Sequence, residues 1–339
     1  DKLTVETSRK GIRLFALTNV KLWTFFLVSG EGEKWWSFLN SKVKNEGRIA
    51  RKFLTLDLAQ AEARPDAVAI VGGDGRRVTF GALAKASAAR AGVMRAMGIG
   101  AGDAVLVARG VSIELYEILL AIFRLGAVAT FPEPAAGIAG VRHAVRMAQP
   151  KAFAGAWLAR ILRVLIPELR GLRRIPDPDG GSGVRDEVAA VGGDAPALIT
   201  FTSGSTGQPK GIVRSVDFLL LQHRLLEGLR QTTPDNVDLI SLPVFILSNL
   251  AVGAASVIPK GRLTKPAQLD GGELVRQMQR ERVNRVIAPP AVCARMVDSG
   301  VQLDELSALF TGGGPVFPNL LHGMREFAPR AKIHAVYGS

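Results

Sequence analysis

The chain has 339 residues, 47% of them hydrophobic and 22% charged, which is enough to bury a sizeable core and too apolar for a disordered protein. Its 43 Lys and Arg against 30 Asp and Glu give a formal charge of +13. The arginines, however, are scattered at helical spacing beside apolar residues with no interleaved aromatics, so a solvated basic surface is read rather than a nucleic-acid partner.

A single cysteine, Cys293, excludes an internal disulfide, fits a reducing, cytoplasmic setting and reads as a small buried hydrophobe. Residues 1–50 carry no regular pattern and read as a leader; the first residue, Asp1, has the look of a cut end. An apolar run from Leu14 to Ser29 is interrupted by Asn19 and Lys21. It is shorter than the roughly 20 residues that span a bilayer. With Trp35, Trp36 and Phe38 beyond it, the segment 13–38 also suits peripheral contact with a membrane surface, although an amphipathic leader is the plainer reading.

Helical apolar spacing runs from Ile49 to Ala63 and stops at Arg64 and Pro65. A strand at 68–71, a glycine-rich turn at 72–75 and a strand at 77–80 form a hairpin. An Ala-rich helix over 80–97 follows, then a buried strand at 104–108, an amphipathic helix over 112–125 closed by Gly126, and a strand at 127–131. Helix 137–147, strand 151–155 and helix 157–169 continue the alternation. Residues 176–194 are rich in Gly, Pro and Asp and read as an exposed connection. Beyond it the pattern gives strands 197–201 and 211–214, helix 216–230, strand 238–242 and a segment 250–258. Helix 271–281, strand 284–288, helix 290–298, strand 307–311, helix 317–327 and strand 332–336 complete it. The alternation predicts an α/β fold over 51–339, with two lobes at about 51–175 and 195–339 and mainly parallel sheets wrapped by helices.

The stretch richest in chemistry is TSGSTGQPKG, residues 202–211, directly after a buried strand. Gly204 and Gly207 let the backbone turn tightly and aim successive N–H groups at an anion. The hydroxyls of Thr202, Ser203, Ser205 and Thr206 add donors, and Lys210 adds a mobile positive charge. This is not a Walker A loop, because Gln208 and Pro209 separate Gly207 from Lys210 and no Ser or Thr follows the lysine. A plain Ser/Gly linker seldom joins two apolar strands so abruptly. His143, His223, His322 and His334 lack metal-ligand spacing and read as surface residues of helices and strands, so no protein metal site is expected. Neither a G-x-S-x-G elbow nor a G-x-G-x-x-G fingerprint follows a strand, which leaves hydrolase and dinucleotide readings without support.

Segment 202–211 resembles the phosphate-binding signature of the adenylate-forming enzymes: acyl-CoA synthetases, luciferases and the adenylation domains of peptide synthetases. Residues 63–70 with 78–80 are similar to that family's opening hairpin, and 121–128 to its helix-to-strand step. Residues 311–316 resemble its adenine loop, and 337–339 the start of its tyrosine motif. The resemblance covers about residues 50–339 and implies the large N-terminal domain of the family. It also implies a chain cut at Ser339, before the family's magnesium-binding glutamate, ribose-binding aspartate, hinge and small C-terminal domain. On that expectation the chain by itself binds nucleotide weakly and catalyses poorly.

The implied reaction uses ATP with Mg2+ to activate a carboxylic acid as an acyl-adenylate, releasing pyrophosphate. The acyl group then passes to a thiol such as CoA or is cyclised internally. The resemblance assigns the phosphates to Thr202, Ser203, Gly204, Ser205, Thr206, Gly207 and Lys210, with Thr206 and Lys210 as the catalytic pair. It assigns the adenine to Gly312, Gly313, Gly314, Pro315, Tyr337, Gly338 and Ser339; for the three glycines alone a simple turn is an equal reading. Where many relatives carry a histidine this chain has Ile246. A wall of Phe245, Ile246, Leu247, Asn249 and Leu250 suits an apolar acyl chain better than an amino acid. Together with 254–259 and 310–318, it is most similar to the fatty-acyl branch, and particularly to the β-lactone synthetases of olefin biosynthesis, which adenylate a β-hydroxy acid. The competing class is a non-catalytic nucleotide- or acyl-binding module.

Overall fold

The computed structural model describes residues 13–17, 58–132, 137–155, 166–177, 188–202 and 210–338, with the backbone alone at 13–17, 202, 337 and 338. In chain order the strands are β1 (Arg13–Leu17), β2 (Val68–Val71), β3 (Arg77–Thr79), β4 (Ala104–Ala108), β5 (Val128–Phe131), β6 (Ala152–Gly155) and β7 (Arg173–Arg174). They continue as β8 (Pro196–Thr202), β9 (Lys210–Ser215), β10 (Val237–Ile240), β11 (Ala255–Val257), β12 (Arg285–Ala288), β13 (Ala308–Gly312) and β14 (Lys332–Gly338). The α-helices are α1 (Phe80–Ala96), α2 (Ile113–Arg124), α3 (Gly137–Ala148), α4 (Val216–Arg230), α5 (Pro243–Val252), α6 (Gly271–Arg280), α7 (Pro290–Val297) and α8 (Pro318–Phe327). A further helical stretch covers 58–63.

The chain divides into two compact units. One, drawn from 58–67 and 79–226, is built on a six-stranded sheet in the order β7-β6-β4-β5-β8-β9. Its pairs are parallel except β8 with β9, which is antiparallel. The central strands are short, almost wholly buried apolar runs, as parallel strands covered on both faces must be. The helices have clear start signals: Thr79 caps α1 by accepting the Ala82 N–H at 3.2 Å, and Ser112 caps α2 by accepting that of Leu115 at 3.4 Å. Gly126, at φ +64°, ends α2 in the left-handed conformation that favours glycine. Leu106, Phe153, Ile166 and Phe201 centre one cluster of this unit's core.

The other unit, drawn from 13–17, 68–78 and 227–338, holds an eight-stranded sheet in the order β1-β14-β13-β12-β10-β11-β2-β3. Strand β1 pairs parallel with β14, Arg13 opposite His334. Leu239, Val286, Leu309, Met278 and Met324 lie at the heart of its core, and so does Cys293, fully buried as the composition suggested.

The α/β architecture with mainly parallel sheets is the one the alternation predicts, and helix 216–230 falls on α4. Three details differ. The segment 250–258 is the end of α5, a left-handed Gly253 at φ 90°, and β11; α5 itself starts at Pro243. The division of the chain lies near 226–227 rather than in the Gly/Pro-rich connection, because β8 pairs with β5. The hairpin of β2 and β3 goes with the eight-stranded sheet, through β11. Of the helix expected at 157–169, residues 157–165 lie outside the described residues, and 167–169 form a 3-10 turn. Among the described residues no helix is long and apolar enough to cross a membrane; residues 18–57 lie outside them.

Candidate functional site

In the antiparallel ladder of β8 and β9, Thr202 faces Lys210, so both ends of the 203–209 loop stand at one end of the six-stranded sheet. Ser203, Gly204, Ser205, Thr206 and Gly207 lie outside the described residues. Lys210 is exposed. The strand pair beneath is firmly held. Arg214 Nη1 donates to Thr200 Oγ1 at 2.5 Å, and buried Phe201 meets His143 edge-on at 5.6 Å. A Cβ on Gly211 would come within 3.2 Å of the Phe201 ring, a tight contact that the ring would have to yield to.

The second glycine loop leaves the carboxyl end of β13. Gly312 sits opposite Val336 of β14, and a Cβ there would collide with the Val336 carbonyl oxygen. Gly313 adopts φ +78°, which favours glycine. Gly314 differs from both: the nearest atoms to a Cβ would be Pro290 Cγ and Cδ at 3.9 Å, an ordinary contact. Tyr337 directly follows Val336, so the backbone register brings Tyr337 and the loop 312–315 to the same ends of neighbouring parallel strands. Ligands of open α/β sheets bind at such ends. Beneath the loop, Cys293 Sγ lies 3.5 Å from Thr311 Oγ1 and 3.7 Å from the Ala288 carbonyl, and burial pushes its thiol up to about 12. Ser339 lies outside the described residues.

Of the five residues expected along an acyl chain, all on α5, Phe245 and Leu247 are half-buried, whereas Ile246, Asn249 and Leu250 are enclosed. Asn249 is engaged in a buried network. Its Nδ2 donates to Asp238 Oδ2 at 3.0 Å, and its Oδ1 accepts from Arg230 Nη2. Asp238, in the middle of β10, also accepts from Arg230 Nη2 at 2.7 Å and from Arg285 Nε and Nη2, both at 2.7 Å. Ser248 Oγ donates to Glu227 Oε1 at 2.7 Å, and Arg230 Nη1 reaches the same oxygen at 3.2 Å. The Phe245 ring lies over the Arg230 guanidinium, 5.4 Å from its central carbon. Burial lowers the Arg230 pKa from its ordinary value, against the pull of Asp238 and Glu227. No local motif marks this cluster in the sequence. Its signal was an aspartate inside the apolar strand VDLI, with arginines closing one helix and opening another strand.

His143 and His334 are half-buried ring partners, of Phe201 and Phe310, rather than surface residues. Among the described residues no group of three His, Cys, Asp or Glu could hold a metal ion.

Two mainly parallel sheets covered by helices make up the architecture of the N-terminal domain of adenylate-forming enzymes. The chain belongs to the AMP-binding enzyme family, which matches residues 58–339. It is 30% identical, over a 305-residue alignment covering 82% of the chain and 55% of the relative, to an olefin beta-lactone synthetase of Xanthomonas campestris. A counterpart from Stenotrophomonas maltophilia is also 30% identical, with 84% and 51% covered. The chain thus spans about half the length of these curated relatives. Among solved structures, the N-terminal domain of FACL13 from Mycobacterium tuberculosis superimposes with a TM-score of 0.71 at 21% identity, covering 85% of this chain and 75% of that one. The luciferase-like enzyme of the mealworm Zophobas morio gives 0.71 at 17% identity, covering 84% and 72%. At these identities the two structures speak for the fold alone.

Proposed function

We propose that the protein containing this chain activates a carboxylic acid with ATP. The acid's carboxylate attacks the α-phosphorus, the bond to the β-phosphate oxygen breaks, and pyrophosphate leaves with the electron pair. The acyl-adenylate then gives its acyl group to a thiol such as CoA or to a hydroxyl of the same molecule. The observation that carries this reading is the convergence of Gly312–Pro315 and Tyr337 at adjacent strand ends, within a chain of the AMP-binding family.

On this reading Thr202, Ser203, Gly204, Ser205, Thr206, Gly207 and Lys210 hold the phosphates. Thr206 donates a hydrogen bond, and the Lys210 ammonium offsets charge as it builds on the transferred group. Gly312, Gly313, Gly314, Pro315, Tyr337, Gly338 and Ser339 frame the adenine, the glycines giving the base close access to the backbone. Leu247 retains exposed surface and meets the acyl chain directly, while Phe245 and Asn249 sit on the face of α5 that packs on the Arg230 cluster and Ile246 is enclosed. The apolar character of α5 favours a fatty or β-hydroxy fatty acid, the class that the relatives named as beta-lactone synthetases also suggest. Mg2+ accompanies ATP as its usual counter-ion, and no step is assigned to a protein-held metal.

Calorimetry of Mg·ATP with this chain, beside Thr206→Val and Lys210→Ala, tests the nucleotide half. Binding that weakens about tenfold or more in each variant supports the phosphate assignment, since one charge-assisted contact of this kind is worth on the order of 1.5–3 kcal/mol. Pyrophosphate release from the full-length protein with a series of fatty acids tests the chemistry. Nucleotide binding without release from any acid would overturn the enzyme reading in favour of a binding module.

A further inference from the structure

Helix α5 reads PVFILSNLAV, apolar on every side except at Ser248 and Asn249. A helix of that composition has no polar stripe to fix its rotation, because turning it by one residue exchanges one apolar contact for another. The two polar residues supply what the pattern lacks. Both are buried, and both are held by carboxylates outside the helix: Ser248 by Glu227 at 2.7 Å and Asn249 by Asp238 at 3.0 Å. Asp238 is itself fixed by Arg230 and Arg285, each at 2.7 Å, so the anchor cannot follow the helix. Turning α5 would strip two buried polar groups of their partners, at about 1–3 kcal/mol each. Phe245 lies on the same helical face as Ser248 and Asn249, at three- and four-residue spacing, with its ring over the clamped Arg230 guanidinium.

We infer that Ser248 and Asn249 are positioning residues that set the rotational register of α5, and so decide that Leu247, not Ile246, presents its side chain. For the acyl chain this rests on the function proposed above; for the register itself it does not. Buried ionic and polar groups are best attested in this role of specifying register.

Thiol labelling reads the register directly. Cys293 is fully buried with its thiol pushed up to about 12, so it stays silent in the folded chain. A cysteine introduced by Leu247→Cys should label about tenfold or more faster than one introduced by Ile246→Cys, because only position 247 is open without local unfolding. Combined with Asn249→Leu, or with the milder Ser248→Ala, that ratio should fall towards one. A ratio that stays put in both backgrounds overturns the inference, whatever happens to stability.

In the full-length enzyme the same two variants should raise the KM for the preferred acid and blur chain-length selectivity, leaving the KM for ATP unchanged. A general loss of folding would instead lower the active fraction and spare both KM values. Should labelling change while acid KM and selectivity do not, the register clamp stands and the acyl-wall assignment of Leu247 falls.

Discussion

Each unit holds an arginine–carboxylate cluster, but the two clusters are enclosed to different degrees. In the eight-stranded unit Arg230 and Arg285 converge on Asp238, and the Arg230 and Asp238 side chains have no exposure at all. Four elements meet there: α4, β10, α5 and β12. In the six-stranded unit Arg90 of α1 bridges Glu117 of α2 and Asp177, at 2.8 and 3.0 Å, but Asp177 is 65% exposed. One cluster is sealed, and the other opens to water. In a sealed cluster a lost partner leaves an uncompensated charge where no solvent can replace it; in an open one water takes over part of the work. Similar ion-pair distances therefore stand for very different contributions.

The sharpest break of this contrast is Asp238→Ala. It leaves two buried guanidinium groups side by side and should cost about 3–5 kcal/mol, read as a lowered urea midpoint. A loss below about 1 kcal/mol would mean that water reaches the cluster and that the contrast is false. Next comes Arg90→Ala, which removes a nearly buried cation whose partners are partly solvated. The expected loss is about 1–3 kcal/mol, in the range of hydrogen bonds to charged groups. Smaller still is Asp177→Ala, within about 1 kcal/mol and fading further with added salt, because its carboxylate is mostly exposed. Should Asp177→Ala match Arg90→Ala, the open end of that cluster carries its energy.

Much of the fold was legible because its elements announce themselves locally. Helix α2 starts at Ser112 with Glu114 in its first turn and ends at Gly126; α4 carries Asp217 in its first turn and Arg230 in its last. Helix α5 was not legible, since PVFILSNLAV offers neither a helical period nor a polar cap, and only packing decides that it coils. Strand β7 is two arginines, too short for any pattern. The candidate site divides in the same way. The loops at 202–211 and 312–315 stand out by composition, but the network behind α5 joins residues up to 55 positions apart, and no local window contains it. An aspartate in a buried strand is the trace such a network leaves in sequence.

The contrast between what the fold requires and what it leaves free recurs in the triple glycine, where it yields the smallest predicted change in stability. Gly312 is demanded by the Val336 carbonyl and Gly313 by its φ of +78°, so neither says anything about a ligand. Gly314 is bound by neither reason, and a methyl group there would find Pro290 at a comfortable 3.9 Å. Gly314→Ala should therefore alter stability by no more than about 0.5 kcal/mol, as an unstrained substitution with room for its methyl group does. If the loop is only a turn, nucleotide binding should be equally indifferent. If an adenine ring rests against this backbone, the same methyl stands in its way and ATP affinity should fall about tenfold, the scale of one misplaced contact in a close-fitting site. Calorimetry on a variant of unchanged stability separates the two, because a ligand is then the remaining reason for this residue to be glycine.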